Sequence, residues 1–209
     1  MINVAIIGAG GFGREVYHHI LNDKGYGGCD LKYYVDEEFA NGVGTFPIST
    51  IDFHSQHILV AVADPKARME IVNRLPSKAR FYKFIHSSVV MLDKTIKIGE
   101  GSIICAGSIL TTNIKLGKHT HLNLQTTIGH DCVIGDYFTT APGVKISGNC
   151  TIGNRVYFGT NSCTKEKITI VDDCTIGLNA GVVKDLTDSN TYIGTPAKPI
   201  FMKASPINR

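Results

Sequence analysis

From Ile98 to Val182 a hydrophobic residue recurs at nearly every sixth position. The series runs Ile98, Ile104, Leu110, Leu116, Leu122, Ile128, Ile134, Thr140, Ile146, Ile152, Phe158, Thr164, Ile170, Ile176 and Val182, and twelve of its fifteen members are Ile, Leu or Val. Such an internal period marks a repeat architecture. Two residues before these positions the chain is small or β-branched, at Thr120, Thr126, Cys132, Val144, Cys150, Val156, Ser162 and Cys174. A strand alternates faces at every residue, so both sets point inward. Glycine often follows the aliphatic, at Gly99, Gly117, Gly129, Gly135, Gly153, Gly159 and Gly177, which assigns a tight corner to that position. Each unit is therefore a short strand plus a turn. Three units close a triangular coil of about 18 residues, and the repeat yields about five coils stacked at roughly 4.8 Å. The unbroken register predicts no long loop inserted in any coil.

Residues 1–84 have a different texture. INVAII reads as a buried parallel strand, GAGGFGREVYHHILND as a glycine turn opening a helix, and LKYYVDEE as a second strand ending in acids. HILVAVAD supplies a third strand, PKARMEIVNRL a second helix with Pro65 at its start, and ARFYKFI a last strand leading into the repeat. The chain thus divides into an α/β Rossmann-like unit over 1–84 and a parallel β-helix with a C-terminal cap over 85–209.

Composition narrows the function classes. With 209 residues and 43% hydrophobic content the chain can bury a substantial core. A net charge of +3, spread evenly, does not build a nucleic-acid-binding surface, whereas anionic small molecules fit it. No run approaches 18 consecutive apolar residues, and MINVAIIGAGG lacks a basic segment ahead of its apolar stretch. The expectation is neither a membrane span nor a signal peptide, and a cytoplasmic location. None of the six cysteines forms a C-x-x-C pair, so no metal is expected. Cys132, Cys150 and Cys174 are separated by multiples of six and read as small, reduced core residues of the repeat.

Two segments carry candidate chemistry. Gly8, Gly10 and Gly13 match G-x-G-x-x-G between a strand and a helix, and Asp36 follows Gly13 by 23 residues at the end of the next strand. Such a turn offers backbone N–H groups to a phosphate, which predicts a nucleotide or pyrophosphate site. The alternative is that the glycines only allow close helix packing. One βαβ element is too little for a full dinucleotide, so Asp36 is expected to accept a hydrogen bond from a ribose or base. Within the repeat, Ile128-Gly-His-Asp-Cys-Val-Ile-Gly135 sets an imidazole and a carboxylate just after a corner. His130 suits a general base near neutral pH, the alternative being a surface histidine on a coil edge. One coil further lies Gly148, whose N–H is expected directly above the imidazole. A base below and a donor above are the two elements that acyl transfer needs. No Ser or Cys is paired with the base, so no covalent acyl-enzyme is expected. His86, His119 and His121 read as surface or corner residues.

The [LIV]-G-x4 pattern resembles the hexapeptide-repeat acyltransferases, whose β-helix is left-handed. The resemblance alone supplies the hand, because the general rule for parallel crossovers favours the opposite one. Together and in this order, G-A-G-G-F-G-R-E, G-H-D-C-V-I-G-D-Y and I-G-T-P-A-K resemble the sialic acid O-acetyltransferases and their bacterial nucleotide-amino-sugar N-acetyltransferase relatives. The resemblance covers nearly the whole chain. It implies an acetyl-CoA-dependent N-acetyltransferase for surface-glycan synthesis, acting on the amine of a nucleotide-linked 4-amino-4,6-dideoxyhexose. It also implies a homotrimer with acetyl-CoA between its helices, and no nucleic-acid or membrane partner. By position it makes His130 the base, Asp131 its supporting acid and Gly148 the backbone donor to the thioester. The same resemblance has Gly10, Gly11, Phe12 and Gly13 cradle the substrate phosphates, Asp36 and Glu37 hold the nucleoside, Asp64 lie near the site and Asn123 orient the acceptor. For acetyl-CoA it implies Thr139, Thr160 and Leu178, with Lys198 toward the CoA phosphate. Thr139 departs from relatives that carry histidine there, so that contact must be remade or absent. The open alternatives are O-acetylation of sialic acid or a related sugar, an NAD-dependent oxidoreductase built on the glycine turn, and a purely structural β-helix.

Overall fold

A computed structural model describes residues 2–26 and 28–200. The expected cap extends over 201–209, which lie outside the described residues. The chain opens with β1 (Asn3–Ile7), α1 (Gly11–Asn22), β2 (Asp30–Val35), β3 (Thr45–Pro47), β4 (Gln56–Val60) and α2 (Pro65–Arg74). The strands form one parallel sheet in the order β3-β2-β1-β4, with Ile6 in register with both Tyr33 and Leu59. The chain leaves β1 to one side for β2 and reaches the other side at β4. The switch point therefore falls at the carboxyl ends of β1 and β4, beside the glycine turn. The hydrophobic pattern does not predict β3. It is three residues long, and Pro47 restricts it to the sheet edge, where a missing N–H is tolerated. The segment ARFYKFI divides between two structures. Phe81 makes a parallel bridge to Ile58 in the sheet, whereas Phe84–Ile85 is the first strand of the coil and pairs with Ile103–Ile104.

From Phe84 onward the chain winds as a left-handed parallel β-helix of two-residue strands on three faces. The first face includes Ile103–Ile104, His121–Leu122, Thr139–Thr140 and Tyr157–Phe158. The second includes Ile109–Leu110, Thr127–Ile128 and Lys145–Ile146, and the third Lys115–Leu116, Val133–Ile134 and Thr151–Ile152. Each strand pairs with those one coil away, as Leu116 does with Ile98 and Ile134. The inward series is buried as expected, with Leu110, Leu122, Ile128, Cys132, Val144, Cys150, Val156 and Ile176 fully inaccessible. All these cysteines are free.

The corners correct the role assigned to the glycines. Left-handed backbone occurs three residues after the aliphatic, at fourteen consecutive positions of period six from Gly101 to Asn179, eleven of them not glycine. Six of the eleven are Asn or Asp, which tolerate that conformation best, while His119, Gln125, Tyr137, Arg155 and Lys167 adopt it at about 1 kcal/mol each. The glycine after the aliphatic permits close stacking instead. A Cβ at Gly99 would lie 2.5 Å from the Gly117 backbone, and one at Gly117 would lie 2.5 Å from that of Gly135.

The α/β unit sits on the first face. Val16 and Ile20 of α1 share a core with Val4, Ile6 and Leu59 of the sheet and with Phe84, Ile103 and Cys105 of the coil. Arg68 of α2 is fully buried at this junction. Its Nε donates to the His119 carbonyl at 3.0 Å, Nη1 to those of Val62 and Ala63 at 2.6 and 3.1 Å, and Nη2 to the Tyr137 carbonyl and Thr139 Oγ1 at 2.9 and 2.8 Å. Burial pulls its pKa down to about 9, which still leaves it charged at neutral pH. Among the described residues no helix is long and apolar enough to cross a membrane.

Candidate active site

In triangular section the corner joining the second and third faces lies opposite the first face, and is called the far corner below. His130 and Asp131 occupy it, between Thr127–Ile128 and Val133–Ile134. Gly129 N donates to the Ile146 carbonyl at 2.8 Å and Asp131 N to that of Thr112 at 3.0 Å, which ties the corner to the coils on either side. Asp131 has a φ of 59°, and its carboxylate turns back to the preceding ring, with Nδ1 and Oδ2 2.7 Å apart. Its other oxygen accepts from Asn113 Nδ2 at 2.7 Å. The hydrogen bonds from Asn113 and then His130 hold the Asp131 carboxyl below the usual carboxylate range. An ionised carboxylate against Nδ1 keeps the proton on that nitrogen and frees the Nε2 lone pair. The His130 and Asp131 side chains are 57% and 44% exposed, so the pair is open to a ligand.

Gly148 stands over this ring. A Cβ built on it would lie 2.6 Å from His130 Nε2. Its carbonyl accepts from Lys167 N at 3.0 Å, whereas among the described residues its N–H meets no acceptor. A basic lone pair and a free backbone donor thus border one small space. Sequence reasoning missed Asn113, although counting one coil back from Asp131 finds it just as counting one coil on from His130 finds Gly148.

The glycine turn separates into two kinds of glycine. Gly8 has a φ of 109°, and a Cβ on Gly13 would lie 2.0 Å from the Gly8 carbonyl oxygen, so the fold itself requires these two. Around Gly10 and Gly11 a Cβ would meet open space, which leaves the backbone free for close approach by a ligand. No side chain caps α1, so its first N–H groups face the crevice at the strand ends unpaired. Beside them opens a cleft of about 160 Å³ lined by Gly8, Val35, Asp36, Phe39, Val62 and Ile71. Asp36 is paired with Arg74 at 3.2 Å, and Glu37 accepts from the Ser49 hydroxyl. Asp64 caps α2 through Ala67 N at 2.7 Å and borders a second cleft, of about 580 Å³, with Arg155, Tyr157 and Asp173.

The remaining predicted residues do not gather at His130 within one chain. Asn123, Thr160 and Leu178 lie on the corner joining the first and second faces, one corner away from the imidazole. Asn123 Oδ1 accepts from Leu124 N at 2.7 Å, Thr160 is exposed, and Leu178 is 71% exposed. Thr139 lies beneath the α/β unit at 3% exposure. Its hydroxyl receives Arg68 and donates to the Ala63 carbonyl at 3.0 Å, so it has no free donor to offer a ligand. Lys198 is exposed on a short strand paired with Ile193. His119 and His121, expected at the surface or a corner, are buried at 2% and 1%, because the α/β unit covers the first face and the corner that precedes it, where Phe81 packs on the His119 ring. Arg68 was also missed. Its only signal in the sequence is its place three and four residues before Ile71 and Val72, on an apolar helix face.

Comparison with known proteins agrees with this architecture. The PglD N-terminal domain matches residues 3–75, and a hexapeptide repeat of succinyl-transferase matches residues 125–158. GDP-perosamine N-acetyltransferase from Escherichia coli O157:H7 is 31% identical over 174 residues, 78% of each protein. The structure of WeeI from Acinetobacter baumannii AYE superposes with a TM-score of 0.86 at 29% identity, over 96% of this chain and 100% of that one. The acetyltransferase domain of PglB from Neisseria gonorrhoeae FA1090, in complex with acetyl coenzyme A, superposes with a TM-score of 0.84 at 27% identity, over 95% and 98% of the two chains.

Proposed function

Because the chain belongs to the nucleotide-amino-sugar N-acetyltransferases of the hexapeptide-repeat class, we propose that it moves the acetyl group of acetyl-CoA to the amine of a nucleotide-linked 4-amino-4,6-dideoxyhexose. The observation that carries this reading is the stacking of Gly148 over the His130–Asp131 pair. His130 Nε2 accepts the proton that the amine loses as it attacks the thioester carbonyl carbon. Asp131 stabilises the imidazolium through Nδ1–H, and Asn113 keeps that carboxylate ionised and aimed. The Gly148 N–H stabilises the negative charge that develops on the thioester oxygen. His130 then returns its proton to the departing CoA sulfur, which leaves the enzyme as it began.

The placement of the two sites on the prism supports a shared site in a homotrimer. The glycine turn rests on the first face through Phe12 against His121, while His130 stands at the corner opposite that face. Roughly 10 Å of packed core lies between them, so a substrate held by the turn does not reach the base of its own chain. In the proposed trimer the far corner of one protomer faces the turn of the next and its corner bearing Asn123, Thr160 and Leu178. A head-to-tail contact of this kind closes into a ring. The groove then draws the base, its acid and the backbone donor from one chain, and the nucleotide and CoA contacts from its neighbour. Gly10, Gly11, Phe12 and Gly13 hold the phosphates, the cleft at Asp36 and Glu37 takes the nucleoside, and Lys198 is available to a CoA phosphate.

The test is incubation with acetyl-CoA and dTDP-, UDP-, GDP- and CMP-linked sugars bearing either a free amine or only hydroxyls, read by mass spectrometry. Acetylation of an amine with stoichiometric release of CoA is expected. Turnover of hydroxyl acceptors alone would overturn the proposal in favour of an O-acetyltransferase.

A further inference from the structure

The junction between the α/β unit and the first face holds a histidine that acyl transfer does not use. His121 is 1% exposed, and neither ring nitrogen has a hydrogen-bond partner. Buried polar atoms left in this state are uncommon and call for a reason. The ring packs against Phe12, with centroids 5.2 Å apart at 41°, and Phe12 belongs to the turn that offers its N–H groups to phosphate. Below and above His121 lie Ile103 and Thr139 of the neighbouring coils.

The surroundings of His121 favour its neutral form. The charged and titratable groups that face it are Arg68 from α2 and His119 from its own coil. From α1 it meets the Phe12 ring, and from β4 the Val60 backbone, which lies close but outside hydrogen-bond geometry. The acids nearby, Glu100 and Asp136, act on His119, and Glu15 of α1 acts on Cys105. Burial first, then Arg68 and His119, push the His121 imidazole well below the ordinary histidine range. A proton on this ring would be a second buried cation beside the guanidinium.

Resting on the nucleotide-sugar reading above, we propose that His121 is a positioning residue for the nucleotide site. While neutral it seats Phe12 and the glycine turn on the β-helix, and acidification unseats the turn and weakens binding of the nucleotide sugar. Once the turn lifts, the exposed ring titrates near its ordinary value of about 6.5, so each pH unit below that favours the lifted form by up to tenfold.

Hydrogen exchange of the ligand-free protein tests this without reference to activity. The protection factor of Arg14, whose N–H donates to the Gly10 carbonyl in the first turn of α1, normalised to those of Val133 and Thr151 in the β-helix, is expected to fall by up to about tenfold from pH 7.5 to pH 5.5. The fall should disappear in His121→Leu, or in His121→Phe should the leucine variant not fold, and should persist in His119→Leu. In parallel, the KM for the nucleotide sugar in the wild type should rise over the same interval while the KM for acetyl-CoA stays constant. A flat wild-type profile, or a fall that survives in the His121 variant and is lost in His119→Leu, would overturn the proposal. Exchange needs no substrate, so a failure of the acetyl-transfer reading would show separately, as normal pH-dependent seating without turnover.

Discussion

Replacing Gly148 with alanine puts a methyl group where the imidazole stands. The new Cβ would lie 2.6 Å from His130 Nε2 and 2.8 Å from Cε1, against an ordinary separation of about 3.5–4.0 Å, so the ring must retreat by about 1 Å. It can do so without disturbing the core, because it is 57% exposed. Gly148 is not among the left-handed positions, so its backbone accepts alanine. The retreat breaks the 2.7 Å contact with Asp131 and carries Nε2 away from the space beneath the Gly148 N–H. Misplacing a reacting group by about 1 Å lowers the rate on the order of a hundredfold, which is about 2.7 kcal/mol in the barrier. Stability should change by less than about 0.5 kcal/mol. Gly129→Ala is the opposite case. Its Cβ would lie 2.5 Å from Gly148 N, a backbone atom that cannot step aside, so that variant should lose about 1–3 kcal/mol of stability. The assay is kcat/KM from CoA thiol release, paired with thermal denaturation. A Gly148→Ala enzyme within threefold of wild type, or one whose lost activity tracks a lowered melting temperature, would refute the stacking of donor over base.

Further outcomes follow from the same geometry. His130→Ala should lower kcat by roughly a thousandfold with an unchanged melting temperature, since the ring is exposed; a loss below tenfold would point to another base. Asn113→Ala removes the largest influence holding the Asp131 pKa down, so that pKa should rise in a carboxyl-carbon NMR titration; an unmoved carboxyl titration counts against the support role. His119 is held at about 4 by burial and then by Arg68, against 6.5 for the free side chain. The unfolded chain takes the proton first, so stability is fully present above pH 6.5 and falls by about 3 kcal/mol as pH drops toward 4. Melting curves across that window should show the loss, and His119→Leu should reduce it, leaving the part that the buried His121 contributes. Arg68→Ala strips donors from buried carbonyls on both sides of the domain junction and should destabilise by about 3 kcal/mol or more in urea denaturation.

The sequence revealed the coil because its rule is local and strictly periodic. An aliphatic every six residues fixes which side chains point inward, and three such steps place Gly148 above His130 before any coordinates are known. The same arithmetic identifies Asn113 beneath Asp131. The corner conformation was also written in the chain, in the Asn and Asp three residues after the aliphatic, but the more conspicuous glycines drew the assignment although they serve close stacking. What could not be read was which face the α/β unit covers. Outward positions of the first face are Ile103, His121, Thr139, Tyr157 and Thr175, and those of the third are Lys97, Lys115, Val133, Thr151 and Thr169. Only Ile103 hints that the first face is the buried one, so His119, His121 and Thr139 read as accessible. Arg68 looks like any surface arginine of a short helix until the carbonyls that receive it are in place. The hexad register assigns each residue to a corner, but it does not say which corner of a second copy comes to meet it.

That last relation is open to a direct measurement. His130→Ala and Gly11→Asp target the proposed base and the proposed phosphate turn respectively, and neither should disturb folding, since His130 is exposed and a Cβ at Gly11 meets open space. Co-expressed with different tags and purified through both, the two variant chains are expected to form mixed trimers. A site built from the far corner of one protomer and the turn of its neighbour predicts recovery of about a third of wild-type activity, because one of the three sites in every mixed ring then draws both intact halves. Mixed trimers as inactive as either parent would mean that each chain serves its own base, and would contradict the shared site.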